Sequence, residues 1–135
     1  MKTEDKRIND VDRAYHRMAV LATAIGFDVH EADIDGRSRR DKVAHARMTA
    51  YWLMRTAIGT PYEIIGILFN RDHTGVMYGC KRIGDMIELG LTTYSNNWAK
   101  EIKESRKRFA KFHKSRVEVD VERKLKEVAN VIEST

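Results

Sequence analysis

Arg71-Asp72-His73-Thr74-Gly75-Val76-Met77-Tyr78-Gly79-Cys80-Lys81-Arg82 is the stretch on which the reading of this chain turns. Asp72 is a strong helix N-cap, because its carboxylate can accept from the unpaired backbone N–H groups of the first turn. Behind it, Val76, Cys80 and Ile83 fall at i, i+4 and i+7, which predicts one buried stripe. Arg71, His73, Thr74, Gly75, Tyr78, Lys81 and Arg82 fall on the other face. A short helix with a polar tip and a cationic far end suits entry into the major groove of DNA. An ordinary amphipathic helix with a solvated face has the same pattern, so the stretch alone leaves both readings open.

The preceding residues narrow the choice. Tyr62, Ile64, Ile65, Ile67 and Leu68 predict a second short helix, with Thr60 as its cap and Pro61 at its first position. Phe69-Asn70-Arg71 reads as the turn, since Asn tolerates a left-handed backbone. Upstream, apolar periodicity predicts a longer helix from about Asp41 to Ile58, stopped by Gly59. Long helix, short helix, tight turn and polar-tipped helix together have helix-turn-helix geometry.

On these residues the chain resembles a known family. Residues 39–83 look like the C-terminal DNA-binding domain of the bacterial replication initiator DnaA. In that family an Arg-Asp-His-Thr-Thr-Val segment opens the recognition helix, and a Cys and two cationic residues precede an Ile. Here the run is Arg71-Asp72-His73-Thr74-Gly75-Val76, followed by Cys80-Lys81-Arg82-Ile83. The likeness extends through Pro61, Glu63-Ile64, Ala46-Arg47, Leu53 and the basic stretch Arg37-Ser38-Arg39-Arg40. It implies an all-α helix-turn-helix core of the DnaA C-terminal or Trp-repressor-like type, with added N- and C-terminal helices. By resemblance, Arg71, Asp72, His73 and Thr74 read base edges. Arg37, Arg39 and Arg40 supply the minor-groove arginine, and Arg47, Lys81 and Arg82 sit at phosphate-contacting positions. Gly75 stands where the family has Thr, and Tyr78 where it has His. One apolar thymine contact is thereby lost, and site preference is expected to be weakened or altered.

The family's ATPase needs a Gly-x4-Gly-Lys-Ser/Thr phosphate loop. These 135 residues contain none. The expectation is therefore site recognition without nucleotide or other cofactor.

Charge is segregated along the sequence. Residues 1–35 carry −3, 36–58 carry +5, 59–95 carry −1, 96–116 carry +6 and 117–135 carry −2. Two cationic blocks between acidic ends suit an anionic partner, here double-stranded DNA, and the overall +5 agrees. A lone Cys80 excludes an internal disulfide framework and reads as a small core residue. The five His residues are dispersed without Cys partners, which argues against a structural metal. No nucleophile–base arrangement is recognisable, so an enzyme is not expected. No apolar run approaches a membrane span, and Met1-Lys2-Thr3-Glu4-Asp5 is no signal peptide; a cytoplasmic protein without membrane contact is expected.

Three segments follow. Residues 1–35 predict an amphipathic helix over 4–26, with Ile8, Val11, Tyr15, Met18, Ala22 and Ile25 inward, then a loop marked by Asp28, Asp33 and Gly36. Residues 36–91 form the helix-turn-helix. Residues 92–135 predict a turn at 92–97, a basic helix over 97–114 with Trp98, Ile102, Ser105, Phe109 and Phe112 on one face, and a last segment over 117–132. In that segment Val121, Leu125, Val128 and Ile132 are spaced 4-3-4, a coiled-coil seam two heptads long. A homodimer through the N- or C-terminal helices is open on this evidence. The functional expectation is a DNA-binding regulator of replication or transcription, phage-borne or accessory, that occupies initiator-type sites. The alternative is an oligomeric phage DNA-packaging or nucleoid-type structural protein.

Overall fold

A computed structural model describes residues 5–89 and 98–134. Every regular element among them is helical. In chain order these are α1 (Asp10–Phe27), α2 (Glu31–Asp35), α3 (Asp41–Leu53), a π-helical turn (Met54–Ile58), α4 (Tyr62–Phe69), α5 (His73–Glu88) and α6 (Ala99–Glu133). The all-α expectation holds, and so does the order of the central three helices.

α1 begins later than its periodicity suggested. A reciprocal capping box fixes the start: Asp12 N–H donates to the Asn9 side chain at 2.8 Å, and Asn9 N–H donates back to Asp12 at 3.2 Å. Its inward face is also rotated from the expected stripe. Ala19, Val20, Ala22, Thr23, Ala24 and Phe27 are buried, while Val11 and Ile25 are exposed. α1 is gripped on two sides, by α3 and by α6. Two neighbours bury a broad, small-residue surface, which a single-stripe reading does not anticipate. The expected loop over 28–36 contains a further short helix, α2, whose Ile34 plugs the core.

α3 continues through the π-helical turn and stops at Gly59, whose φ of 81° lies in the left-handed region that favours glycine. α4 starts one residue later than expected. Pro61 is its N-cap and Thr60 is buried outside it, with Thr60 N–H donating to the Met54 carbonyl at 3.2 Å. The turn matches its prediction: Asn70 adopts φ 55°, and Arg71 N–H donates to Gly66 O at 2.7 Å. A Cβ on Gly66 would lie 2.6 Å from the Arg71 carbonyl, so the tight turn requires glycine there. α5 buries Val76, Cys80 and Ile83 as read, together with Gly79 and Met86.

The largest difference lies at the C-terminal end. The two expected segments are one helix of 35 residues, α6, because neither Gly nor Pro interrupts residues 99–133. Its inward face is the predicted one, with Ile102, Ser105 and Phe109 buried and Phe112 half-buried. The expected turn and cap at 92–97 lie outside the described residues. α6 lies antiparallel on α1, with Trp98 near Phe27 at one end and His113 against Tyr15 at the other. Phe27, Ile34, Ala50, Ile65, Ile83, Ile102 and Phe109 belong to one core cluster, so the outer helices complete the helix-turn-helix rather than decorate it. Among the described residues, no helix is long and apolar enough to cross a membrane.

The α1–α6 contact is close enough to test. A Cβ on Gly26 would lie 2.8 Å from Ser105 N and 2.9 Å from Glu101 O, both backbone atoms that cannot rotate away. Gly26→Val is expected to lower unfolding free energy by about 2–3 kcal/mol through overpacking. Gly75→Ala, where nothing lies within 4 Å of the added carbon, is expected to raise it by about 0.5–1 kcal/mol through reduced chain entropy. Urea titration followed by circular dichroism distinguishes the two.

Candidate nucleic-acid interface

The tip of α5 is built by its cap. Asp72 Oδ1 accepts from Thr74 N–H at 2.8 Å, which occupies one of the orphan donors of the first turn. That hydrogen bond is the leading reason the Asp72 carboxyl is held below its ordinary value of 3.8. His73, Thr74 and Gly75 follow in solvent, and Tyr78, one turn on, is 65% exposed. Met77 is exposed beside it, an apolar side chain on this face that the pattern reading left out. Lys81 pairs with Asp85 at 2.9 Å, and Arg82 Nε lies 3.5 Å from His45 Nε2.

Beside the tip stands the basic segment between α2 and α3. Arg37 and Arg39 are exposed, and Arg40 reaches Asp33 at 3.4 Å. With Asn70, Arg47 and Arg71 these first two line a cleft that contains no acidic side chain. Two buttresses hold the segment in place. Arg47, expected at a phosphate-contacting position, is only 8% exposed and turns under the loop. Its Nε donates to Ile34 O at 2.7 Å, and its terminal nitrogens donate to the Asp33, Gly36 and Ser38 carbonyls at 2.9–3.1 Å. In this conformation the guanidinium is committed to the backbone. The second buttress is Arg71, whose guanidinium donates to Gly36 O and to the Phe69 and Asn70 carbonyls. Arg71 thus ties the tip of α5 to the loop instead of projecting forward from the tip. Burial and the neighbouring Arg71 charge both lower the Arg47 pKa, in that order of size.

A further neighbour went unnoticed in the sequence. Asp5 and Arg7 line a polar groove with Glu63, Asn70, Asp72 and His73, which places the residues before α1 next to the tip. Arg7 donates to both Asp5 oxygens, at 3.1 and 2.8 Å, and holds that carboxyl at about 2. Both belong to the charged run Glu4-Asp5-Lys6-Arg7, inside the stretch read as helix, and nothing local in that run points to the α5 tip. Cys80 is buried in the core, which pushes its thiol up to about 12. No group of three or more His, Cys, Asp or Glu among the described residues is placed to hold a metal ion.

The family described as bacterial DnaA protein helix-turn-helix matches residues 20–83. Residues 20–83 belong to the DnaA helix-turn-helix family. The chain is 38% identical over 93 residues to the chromosomal replication initiator protein DnaA of Clavibacter sepedonicus, covering 68% of this chain and 18% of that protein. It is 32% identical over 74 residues to the DnaA of Tropheryma whipplei strain Twist, covering 55% and 16%. With the DnaA of Picosynechococcus sp. it shares 38% identity over 71 residues, covering 52% and 15%. The chain therefore spans under a fifth of the length of these relatives. The DnaA-type segment begins within α1, upstream of the 39–83 stretch on which the resemblance was read. The second half of α1 and all of α2 are thus part of the family domain, in keeping with their place in the shared core.

Two outcomes follow from this geometry. Arg47→Ala leaves loop carbonyls without their donor and is expected to cost about 2–3 kcal/mol of stability. Arg47→Lys is expected to recover little of it, since one ammonium cannot replace a planar fork; thermal melts of the three proteins provide the comparison. The Asp72 cap is fully effective above the ordinary carboxyl value of 3.8 and is lost as pH falls through its lower folded value. The Thr74 amide resonance is expected to titrate there, and Asp72→Asn should abolish that titration while keeping the helix start.

Proposed function

We propose that this protein binds double-stranded DNA through its helix-turn-helix, with the α5 tip in the major groove and the 37–40 loop at the adjacent minor groove. On this reading it acts by occupancy, without catalysis, as an accessory regulator of replication or transcription at initiator-type or related sites. The observation that supports the reading most is the exposure of His73, Thr74 and Gly75 at the capped end of α5, beside a cleft lined by Arg37, Arg39, Arg47 and Arg71. Exposed donors on a rigid rod read base edges, and the exposed guanidinium groups of Arg37 and Arg39 fix the backbone.

Residue roles divide accordingly. His73, Thr74 and Tyr78 face the bases; Met77 offers an apolar contact for a thymine methyl that partly offsets the loss at Gly75. Arg37 and Arg39 enter or flank the minor groove. Lys81, Arg82 and Arg40 meet phosphates after exchanging their present partners. Asp72, Arg47 and Arg71 preorganise the surface and act mainly through the groups they hold.

A second reading rests on a different observation. Val121, Leu125, Val128 and Ile132 are 50–68% exposed along the end of α6. Such a seam is normally covered, and a second copy of the same seam would cover it. Self-association would then make the protein an assembling DNA binder of packaging or nucleoid type. Light scattering at tens of micromolar separates the readings: a monomer removes the second, and a dimer lost on Leu125→Glu supports it.

Selection of tight binders from a random duplex pool, followed by polarisation assays, tests the first reading. Thr74→Ala is expected to cost about 1–3 kcal/mol on the selected site and little on unrelated duplex. Lys81→Ala should weaken all duplexes alike and reduce the salt slope by about 1. Restoring the family residue with Gly75→Thr should raise affinity for initiator-type sites, since the added Cβ meets nothing. Equal weak binding of the unaltered protein to every duplex would remove the sequence-specific version.

A further inference from the structure

The first half of α6 presents a surface that the helix-turn-helix does not use. Lys100, Lys103, Lys107, Lys111 and Lys114 are exposed on the side away from the buried Ile102, Ser105 and Phe109, and Arg106 is exposed at its margin. They cover fifteen residues of a straight helix, a run of about 21 Å. The cations of α6 with ion pairs among the described residues, Arg108 with Glu104, Arg116 and Arg123 with Asp120, do not include these six. Glu104 has its pKa lowered first by its hydrogen bond to Arg108, against desolvation, then by the Arg108 charge, and last by the charges of Lys107 and Lys111.

The place where this row begins is informative. Trp98, immediately before α6, donates from Nε1 to Asp41 Oδ2 at 3.3 Å, and its ring lies 6.1 Å from that of His45. Asp41 directly follows the 37–40 loop, and His45 meets Arg82 of α5. The lysine row therefore starts at the edge of the proposed interface and runs outward from it.

The chemistry of the row also limits its partner. Between Leu89 and Val117 the described residues include no exposed large hydrophobic side chain. A membrane-surface helix needs an apolar face to insert, and a protein interface needs buried apolar or aromatic anchors. A rod of cations with no anchor fits a regular polyanion, which it meets by counterion release and without reading bases.

We propose that the outer face of α6 between Lys100 and Lys114 binds the phosphate backbone of the same DNA duplex, flanking the segment held by the helix-turn-helix. This assignment rests on the DNA-binding reading above and extends it to a second, sequence-independent contact. The extension lies outside the DnaA-type segment of residues 20–83. Site choice then belongs to α5, and much of the affinity and salt dependence belongs to α6.

The test uses the full chain and a duplex of about thirty base pairs selected from a random pool, in two versions of equal length. One has natural phosphates throughout; the other carries uncharged methylphosphonates outside the core that the helix-turn-helix covers. The unaltered protein is expected to bind the flank-neutralised duplex at least ~10-fold more weakly at low salt. The variant K100Q/K103Q/K107Q/K111Q, all surface changes checked by circular dichroism, should bind both versions alike. Its slope of log affinity against log salt should be shallower by about 3–4. Indifference of the unaltered protein to flank neutralisation, or an unchanged slope in the variant, overturns the α6 assignment and leaves the helix-turn-helix reading standing. Failure of the unaltered protein to retain any duplex in the selection overturns both. Binding of the lysine row to phosphatidylserine vesicles, with duplex affinity unaffected by the four substitutions, also overturns it in favour of a lipid surface.

Discussion

The candidate interface of this molecule depends on one buried cation. Arg47 sits beneath the loop between α2 and α3 and donates to the carbonyls of residues 33, 34, 36 and 38. A loop of this kind has many backbone acceptors and no ladder to use them, and a planar guanidinium can satisfy several at once. Arg71 adds a donor to the Gly36 carbonyl from the far side and joins the loop to the start of α5. The loop and the recognition tip thereby become one rigid surface. Arg47 and Arg71 direct their hydrogen bonds to protein backbone, while Arg37 and Arg39 are exposed beside them.

That surface in turn needs a scaffold that does not yield. Glycine contacts set the spacing: Gly66 at the turn, Gly79 against Met48 and Tyr51, and Gly26 against Ser105. Each lets two backbones approach more closely than a side chain would allow, and close packing makes such contacts intolerant of enlargement. α6, the longest element, contributes Ile102 and Phe109 to the same core. Its first half is therefore held firmly, with its cationic side turned outward. Its second half projects an apolar seam that the fold leaves uncovered.

Much of the candidate site is legible in the sequence. The Asp72 cap, the Val76–Cys80–Ile83 stripe and the left-handed Asn70 are local features, fixed by residues within one or two turns of one another. Such features survive transfer from pattern to structure because their physics is local. The burial of Arg47 and the tether role of Arg71 were not legible. Both depend on carbonyls 9 to 35 residues away in sequence, and no periodicity encodes those. The rotated face of α1 failed for a related reason: its burial is the sum of two neighbours, α3 and α6, and each alone would select a different stripe.

The amino-acid order by itself determined the all-helical class, the helix–turn–helix succession, the family and the segregation of charge into two cationic blocks. These follow from caps, breakers, turn residues and side-chain periodicity, all of which act over short stretches of chain. Tertiary structure alone decided which cations are structural and which are presented. It also decided that α6 is anchored beside the loop through Trp98 and Asp41. An arginine has the same intrinsic charge in either role. What differs is whether distant backbone oxygens reach its guanidinium first, and only the folded chain brings them within hydrogen-bonding distance.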